Sequence, residues 1–500
     1  MRPSPSRLVT SISLLALGAC TSAPRPRSEP TSPRNALAGL PMGGGSHILL
    51  DGDVSDWAEG AVLAADDQYL YFRFSVGSRT ITLQHSPEPV VLMIDADADA
   101  RTGRAIEGEP ELGPMGVDLA VVFSGKDSRG QGCSLEILKP DGQVTKVSPY
   151  DAGVVACPTV ASRWYEGRIS RNAPALADLP APGLRSMGSV RASAAIMDAT
   201  GGIAACSDPA TVKVPPAGPA RLLDAELPPK PQGAVRVLSW NVEKSSPIAN
   251  PRPFARVIQA LAPDVVLVQE WTEGTTADTQ AWFVGNVGGA EEWNVVKAAG
   301  DLATGGGVAV VSRFPLEMRI SGPPMGGERG TPVRFVGAVA QTPIGAMLVG
   351  STHLKCCGFA GSPEDQRRNA EAAGINAAVR GIEAPALRVI TGDMNLVGSI
   401  TPLDTLGRGL DADGSDLAAA ATRVLGDRVL VTWGKADEAF APGRLDYVLY
   451  SDGSLQAVNA FVLDTRRLSD GSLARLGLER TDCDASDHMP LVVDLMPPAP

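Results

Sequence analysis

Histidine is scarce in this chain, with four among 500 residues, and basic charge is not in excess. Lys and Arg number 44 against 56 Asp and Glu, a net charge of −12. That balance excludes a protein that coats nucleic acid by bulk electrostatics. Gly233 to Pro500 carries −8 and the preceding part −4, so neither half is basic. An anionic substrate would therefore need a local cationic cluster or a metal ion. There is no CxxC pair of the kind that holds zinc. Neither Ser239 nor Ser486 sits in a GxSxG elbow, which speaks against a serine nucleophile. After the first 20 residues no segment is long and apolar enough for a membrane helix. No internal repeat is evident.

What is present begins with a targeting pattern. Arg2 and Arg7 precede an apolar run, Leu8 to Ala19, that is too short to span a bilayer. Its end, Leu17-Gly18-Ala19-Cys20, looks like the lipobox of bacterial lipoproteins. By that resemblance Cys20 is lipidated and the mature protein is anchored at the cell envelope, outside the cytoplasm; an ordinary secretory signal is the alternative. Residues 21–46 are rich in Pro, Ser, Arg and Gly, the composition of a disordered tether.

Residues 47–213 read as an all-β unit. Ile48-Leu49-Leu50, Leu70 to Phe74, Val90 to Ile94, Val117 to Phe123 and Val190 to Ile196 are short strand candidates separated by turn residues. After the third comes Asp95-Ala96-Asp97-Ala98-Asp99, leading into Thr102-Gly103. Alternating Asp95, Asp97 and Asp99 on a turn can offer several oxygens to one Ca²⁺ ion, and a solvated acidic hairpin is the plainer alternative. The opening Asp51-Gly52 to Asp56-Trp57, the Asp-rich loop and Glu166-Gly167-Arg168-Ile169 are together similar to family 9 carbohydrate-binding modules. That likeness implies a β-sandwich and, more weakly, a glycan partner.

A Pro-rich stretch, 214–233, is the expected linker and boundary. Beyond it, strands at Val235 to Trp240, Val265 to Val268, Val308 to Val311, Phe335 to Gln341, Met347 to Gly350, Leu387 to Ile390 and Tyr447 to Tyr450 alternate with helical segments at Phe254 to Leu261 and Pro363 to Arg380. This arrangement suggests one α/β domain over 234–500. Polar residues stand where these strands stop: Asn241 and Glu243, Gln269-Glu270, His353, Asp393 and Asn395, Asp446, and Asp487-His488. Singly, each is more simply a turn or a solvated residue. Together, six acid, amide or imidazole clusters abutting apolar strands, holding both histidines of this half, are hard to explain as turns.

In this order the clusters resemble the endonuclease/exonuclease/phosphatase superfamily of metal-dependent hydrolases, and Gly307 to Pro315 supplies a further segment common there. The resemblance implies a four-layer α/β sandwich of the DNase I type behind the β-sandwich. It also implies phosphoester hydrolysis with Mg²⁺ or Mn²⁺. On that reading Glu270 is the principal metal carboxylate, Asn241 and Glu243 lie at the metal or phosphate site, and Asp487 completes the metal shell through water. Asp393 orients or deprotonates the attacking water, with Asn395 holding it or the phosphate. His488, positioned by Asp446, donates to the phosphoryl oxygens or moves a proton, and His353 contacts phosphate or assists the leaving group. Arg367 or Arg368 either adds a phosphate contact or is helix surface. Cys356 or Cys357 is expected to bridge to Cys483 if the fold joins those motifs. Nucleic acid leads as the substrate class, followed by phospholipids or small phosphate esters. A non-catalytic glycan-binding or adhesion lipoprotein is the rival of another class.

Overall fold

The computed structural model describes residues 47–498 apart from 107–113, 126–130, 178, 180–182, 225, 289–292, 326–329 and 437. The signal segment, Cys20 and the tether lie outside the described residues. Val235–Asn241, Val265–Gln269, Val308–Ser312 and Leu491–Met496 form the centre of one sheet of the α/β unit, with Asn294–Lys297 and Gln456–Val462 beyond them. Leu316–Ser321, Phe335–Thr342, Gly345–His353, Leu387–Asp393 and Asp446–Tyr450 build the second. Strands of Val, Leu and Ala buried on both faces pack the sheets together: Val237, Leu267 and Val310 of the first meet Val336, Val349 and Val389 of the second in one core cluster.

Helices cover the outer faces. Pro251–Leu261 turns Phe254, Val257, Ile258 and Leu261 inward at helical spacing, onto Leu238, Val266 and Val268. Pro363–Arg380 begins with Ser362, whose hydroxyl accepts the Asp365 amide, and with Pro at its first position. It lays Ala372, Ile375 and Val379 against Leu348 and Ile390. The result is helix, sheet, sheet, helix.

Before it stands an antiparallel β-sandwich. Leu63–Ala65, Tyr69–Ser75, Trp164–Ser170 and Val155–Cys157 form one sheet; Gly188–Met197, Val90–Asp95, Leu119–Phe123, Cys133–Leu138 and Val144–Val147 run through the other. Phe72, Phe74, Leu92, Val121, Leu135 and Tyr165 fill the space between them. The Ile48 to Leu50 segment, expected as a strand of this sandwich, instead makes a lone parallel bridge from Leu50 to Val429 of the α/β unit. Ile48, Leu50, Trp57 and Tyr71 belong to the same apolar cluster as Val424, Val429 and Val431, so one core crosses the boundary.

An ion pair lies in that shared core. Arg168 grips Asp427 with two hydrogen bonds of 2.6 Å, both side chains being about 95% buried, and Arg467 adds a contact of 2.9 Å. Burial opposes ionisation of Asp427, but Arg168 and Arg467 outweigh it and hold its carboxyl well below the usual carboxylate range. The 214–233 stretch is also tied down: the Leu223 amide donates to Arg467 O (2.7 Å) and its carbonyl accepts from Ser469 (2.8 Å). Removing one partner of a buried pair strands the other charge. Asp427→Ala is therefore expected to destabilise the protein by roughly 3–5 kcal/mol in urea unfolding at pH 7. The difference from wild type should persist above about pH 4 and shrink in stronger acid, where the wild-type carboxylate too is protonated.

Candidate active site

Register brings the polar strand ends to one place. In the second sheet His353 is opposite Asp393 in a parallel pair, and Asp393 is opposite Asp446 in an antiparallel one. In the first sheet Asn241 stands opposite Gln269. The Ser486 hydroxyl donates to Asn241 O (2.7 Å) and Trp240 Nε1 donates to His488 O (2.9 Å), which seats the 486–488 turn beside Asn241. Nine non-glycine residues among those described have a positive φ, and five belong here: Glu243, Lys244, Ser245, Glu270 and Asn395. Such conformations cost on the order of 1–3 kcal/mol each and persist where the surroundings enforce them.

Asp393 is the hub, 2% exposed. Its Oδ2 accepts from Asn241 Nδ2 (3.1 Å) and Asn395 Nδ2 (3.0 Å), and its Oδ1 accepts the Asn395 amide (2.9 Å). His353 Nε2 lies 3.4 Å and His488 Nε2 3.6 Å from the same Oδ2. His488 Nδ1 meets Asp446 Oδ2 at 2.8 Å. Glu270 accepts from Asn241 Nδ2 and from the Lys244 amide, each at 3.1 Å, and lies 3.9 Å from His353 Nε2.

The two imidazoles differ in charge for physical reasons. Burial, Arg334 and His488 all push the pKa of His353 well below its ordinary value, so it is neutral. Burial works against a proton on His488 too, but Asp446 and Asp393 outweigh it and raise its pKa to about 10, leaving an imidazolium. Burial also pushes Asp393 up, against the pull of His488.

Glu270, His353 and Asp393 offer ligand atoms within 4.8 Å of one another, as do Asp393, Asp446 and His488. Carboxylate oxygens dominate these sets and no thiol joins them, which fits a hard divalent cation such as Mg²⁺ or Mn²⁺. Glu243 and Asp487 belong to neither group. Glu243 is paired with Lys435 (2.7 Å), while Asp487 Oδ2 accepts Trp433 Nε1 (3.2 Å) and its carbonyl accepts the Gly434 amide (3.0 Å).

Several expectations are corrected. Arg368 is fully buried and donates to Lys355 O (2.9 Å), Cys357 O (2.6 Å) and Asp365 (3.2 Å), bracing the loop after His353. Arg367 pairs with Glu371 (3.0 Å). Neither makes a hydrogen bond or ion pair with His353, Asp393 or His488 among the described residues. The cation that does is Arg334, whose Nη1 approaches the His353 ring at 3.3 Å and whose Nη2 donates to Leu354 O (2.6 Å). Its signal was its place one residue before a strand antiparallel to the one that ends in His353. Cys483 is unbridged, buried in the outer core and directed at Leu463 O (3.4 Å). The Cys357 thiol donates instead to Cys356 Sγ (2.8 Å). In the sandwich, Asp99 leaves the Asp95 and Asp97 group to hold Arg101 (2.6 Å), and Asp118 takes its place.

The profile of the Endonuclease/Exonuclease/phosphatase family matches residues 238–488. The chain belongs to that family, and it is a metal-dependent hydrolase of phosphoester bonds. Among solved structures it is similar to a humanised TDP2 from D. rerio (15% identity, TM-score 0.35), covering 53% of this chain and 99% of that one. It is also similar to sphingomyelinase C from Streptomyces griseocarneus (20% identity, TM-score 0.34, covering 52% and 99%). A third likeness is to an AP endonuclease from Archaeoglobus fulgidus (16% identity, TM-score 0.35, covering 52% and 98%). No curated protein sequence matches the chain.

With four histidines in the chain, ring-proton NMR of the chelator-treated protein can follow each titration. His488 should titrate far above neutrality in wild type, and Asp446→Asn, by removing a charge that favours its proton, should move that midpoint down.

Proposed function

We propose that the protein hydrolyses phosphodiesters outside the cytoplasm, with nucleic acid as the leading substrate class and Mg²⁺ or Mn²⁺ as the metal. The observation that carries this reading is the Asp393 carboxylate, held by two amides at 3.0–3.1 Å with an imidazole on either side. A divalent ion held by Glu270, with Asn241 beside it and Asp487 acting through water, would neutralise charge on the phosphoryl group. Asp393 takes the proton of the attacking water, its affinity for that proton raised by burial. Asn241 and Asn395 keep the carboxylate oriented while it does so. His488, charged and fixed by Asp446, donates to a phosphoryl oxygen as negative charge builds there. His353, neutral beside Arg334, donates to the phosphate or the leaving oxygen.

A phospholipid or small phosphate ester is the second reading. It is favoured by two exposed apolar side chains on segments leaving the site: Ile248, in the one-turn helix Ser246–Ala249 five residues after Glu243, and Phe359, on the loop six after His353. The lipid anchor at Cys20 would suit that substrate, and a sugar-binding role for the sandwich is compatible with either.

The purified protein is expected to cleave bis(p-nitrophenyl) phosphate with Mg²⁺ or Mn²⁺. DNA, RNA, sphingomyelin and inositol phosphates compared side by side will rank the substrates. EDTA should abolish turnover, and Asp393→Ala should lower kcat by at least about 100-fold, the lower end of what a positioned base contributes. Undiminished activity in EDTA would sink the mechanism. Glycan binding with no activity on any phosphoester would favour the adhesion reading.

A further inference from the structure

A second carboxylate cluster lies in the β-sandwich, and the phosphoesterase chemistry does not use it. Ligand oxygens of Asp95, Asp97 and Asp118 all fall within 4.8 Å of one another. Asp95 ends the Val90–Asp95 strand, and Asp118 sits directly before Leu119–Phe123, its neighbour in the sheet. Asp95 is 1% and Asp118 0% exposed. One oxygen of each accepts a backbone amide, Gly116 N to Asp95 Oδ2 (3.4 Å) and Ala96 N to Asp118 Oδ2 (2.8 Å), and the Ala98 amide and Asp97 carboxyl also act on Asp95. The remaining oxygens, Asp95 Oδ1 and Asp118 Oδ1, are buried and accept no hydrogen bond among the described residues. Among the described residues none of the three carboxylates is in an ion pair, since the nearby Arg101 is held by Asp99.

This arrangement is unfavourable as it stands. Buried carboxylate oxygens without donors cost free energy, and three like charges so close repel one another. Burial, with neighbouring acids adding to it, raises the pKa of Asp95 and pushes Asp118 up to about 6. A cation among the three carboxylates would supply the missing partner and offset their repulsion.

The chain is also shaped to keep the cluster together. A Cβ at Gly116 would fall 1.9 Å from Thr102 O, and one at Gly103 would fall 2.8 Å from Asp118 Oδ1. Glycine at these two places lets the turn after Asp95 close over Asp118. Asp97 Oδ1 accepts the Asp99 amide (3.0 Å) and the Thr102 hydroxyl (2.9 Å), which fixes its carboxylate toward the other two. Ala98 has a left-handed φ of 57° within the same turn.

We propose that Asp95, Asp97 and Asp118 bind a calcium ion that fastens the 96–103 turn to the start of the Leu119–Phe123 strand. Oxygen-only donors exclude a preference for zinc, and an irregular turn suits the long, variable bonds of Ca²⁺ better than the strict octahedron of Mg²⁺. The ion would hold the two middle strands of the larger sheet in register at their ends. The proposal does not depend on the phosphoesterase reading.

The test is equilibrium dialysis of the chelator-treated full chain against ⁴⁵CaCl₂, with excess Mg²⁺ present, together with thermal unfolding with and without Ca²⁺. Wild type should bind one Mg²⁺-resistant Ca²⁺, and its Tm should rise with Ca²⁺. Asp118→Asn and Asp97→Asn should lose both effects, while Glu270→Gln, altered at the catalytic site, should keep them. Should Asp118→Asn fail to fold, Asp97→Asn decides, because that side chain is only half-buried. Three results would overturn the proposal: no Mg²⁺-resistant Ca²⁺ in wild type, equal binding by wild type and both Asp variants, or loss of binding in Glu270→Gln alone. A Tm increase for Asp118→Asn in EDTA, with no calcium bound by wild type, would show instead that the acids share protons.

Discussion

A carboxylate taken out of water must be given polar partners, and those of Asp393, two amide side chains that donate to it and two imidazoles within 3.6 Å, come from four parts of the α/β domain. Asn241 reaches it from the first sheet, Asn395 from the turn that follows, His353 from the neighbouring strand and His488 from the last turn before the final strand. Remove any one and the charge is left short of partners in a low-dielectric site. The two sheets therefore have to pack at a fixed register for the site to exist. That same constraint accounts for the backbone strain at Glu243, Glu270 and Asn395, which the packed sheets enforce.

The β-sandwich takes part in this packing. Its Arg168 closes on Asp427, and its backbone and side chains hold both loops that flank the site. Cys133 N donates to Ala439 O (2.6 Å), Gln84 Oε1 accepts the Ala441 amide (2.7 Å), and Thr82 Oγ1 accepts the Ala360 amide (3.1 Å). The 433–443 loop carries Trp433 and Lys435, which hold Asp487 and Glu243. The sandwich thus acts through that loop on two acids at the edge of the catalytic site, which a module swinging on a free linker would not do.

Much of this was legible in the sequence because strands announce themselves by apolar runs and their ends by polar residues. Val265 to Val268 and Leu387 to Ile390 appear as strands, and Pro363–Arg380 as a helix with those limits. The cluster order sufficed to gather Asn241, Glu270, His353, Asp393, Asn395, Asp446 and His488. What escaped depends on distance across the fold. Arg334 looks like any strand-edge arginine until antiparallel pairing sets it beside His353. Asp118 stands 19 residues from Asp99 in sequence, yet it displaces that residue from the acidic group because Leu119 pairs with Ile94. Cys483 lies near Asp487 in sequence, but the short helical turn between them directs its thiol into the outer core. Leu50 carries a strand-like pattern and pairs outside its own sandwich, since its apolar face is completed by Val429 and Val431.

In the proposed mechanism water, activated at Asp393, attacks phosphorus in line with no covalent enzyme intermediate. Hydrolysis of a chiral phosphorothioate diester in H₂¹⁸O tests it most directly. One ¹⁸O in the phosphoryl product and inversion of configuration at phosphorus are expected. Retention of configuration, which requires two displacements, would contradict it.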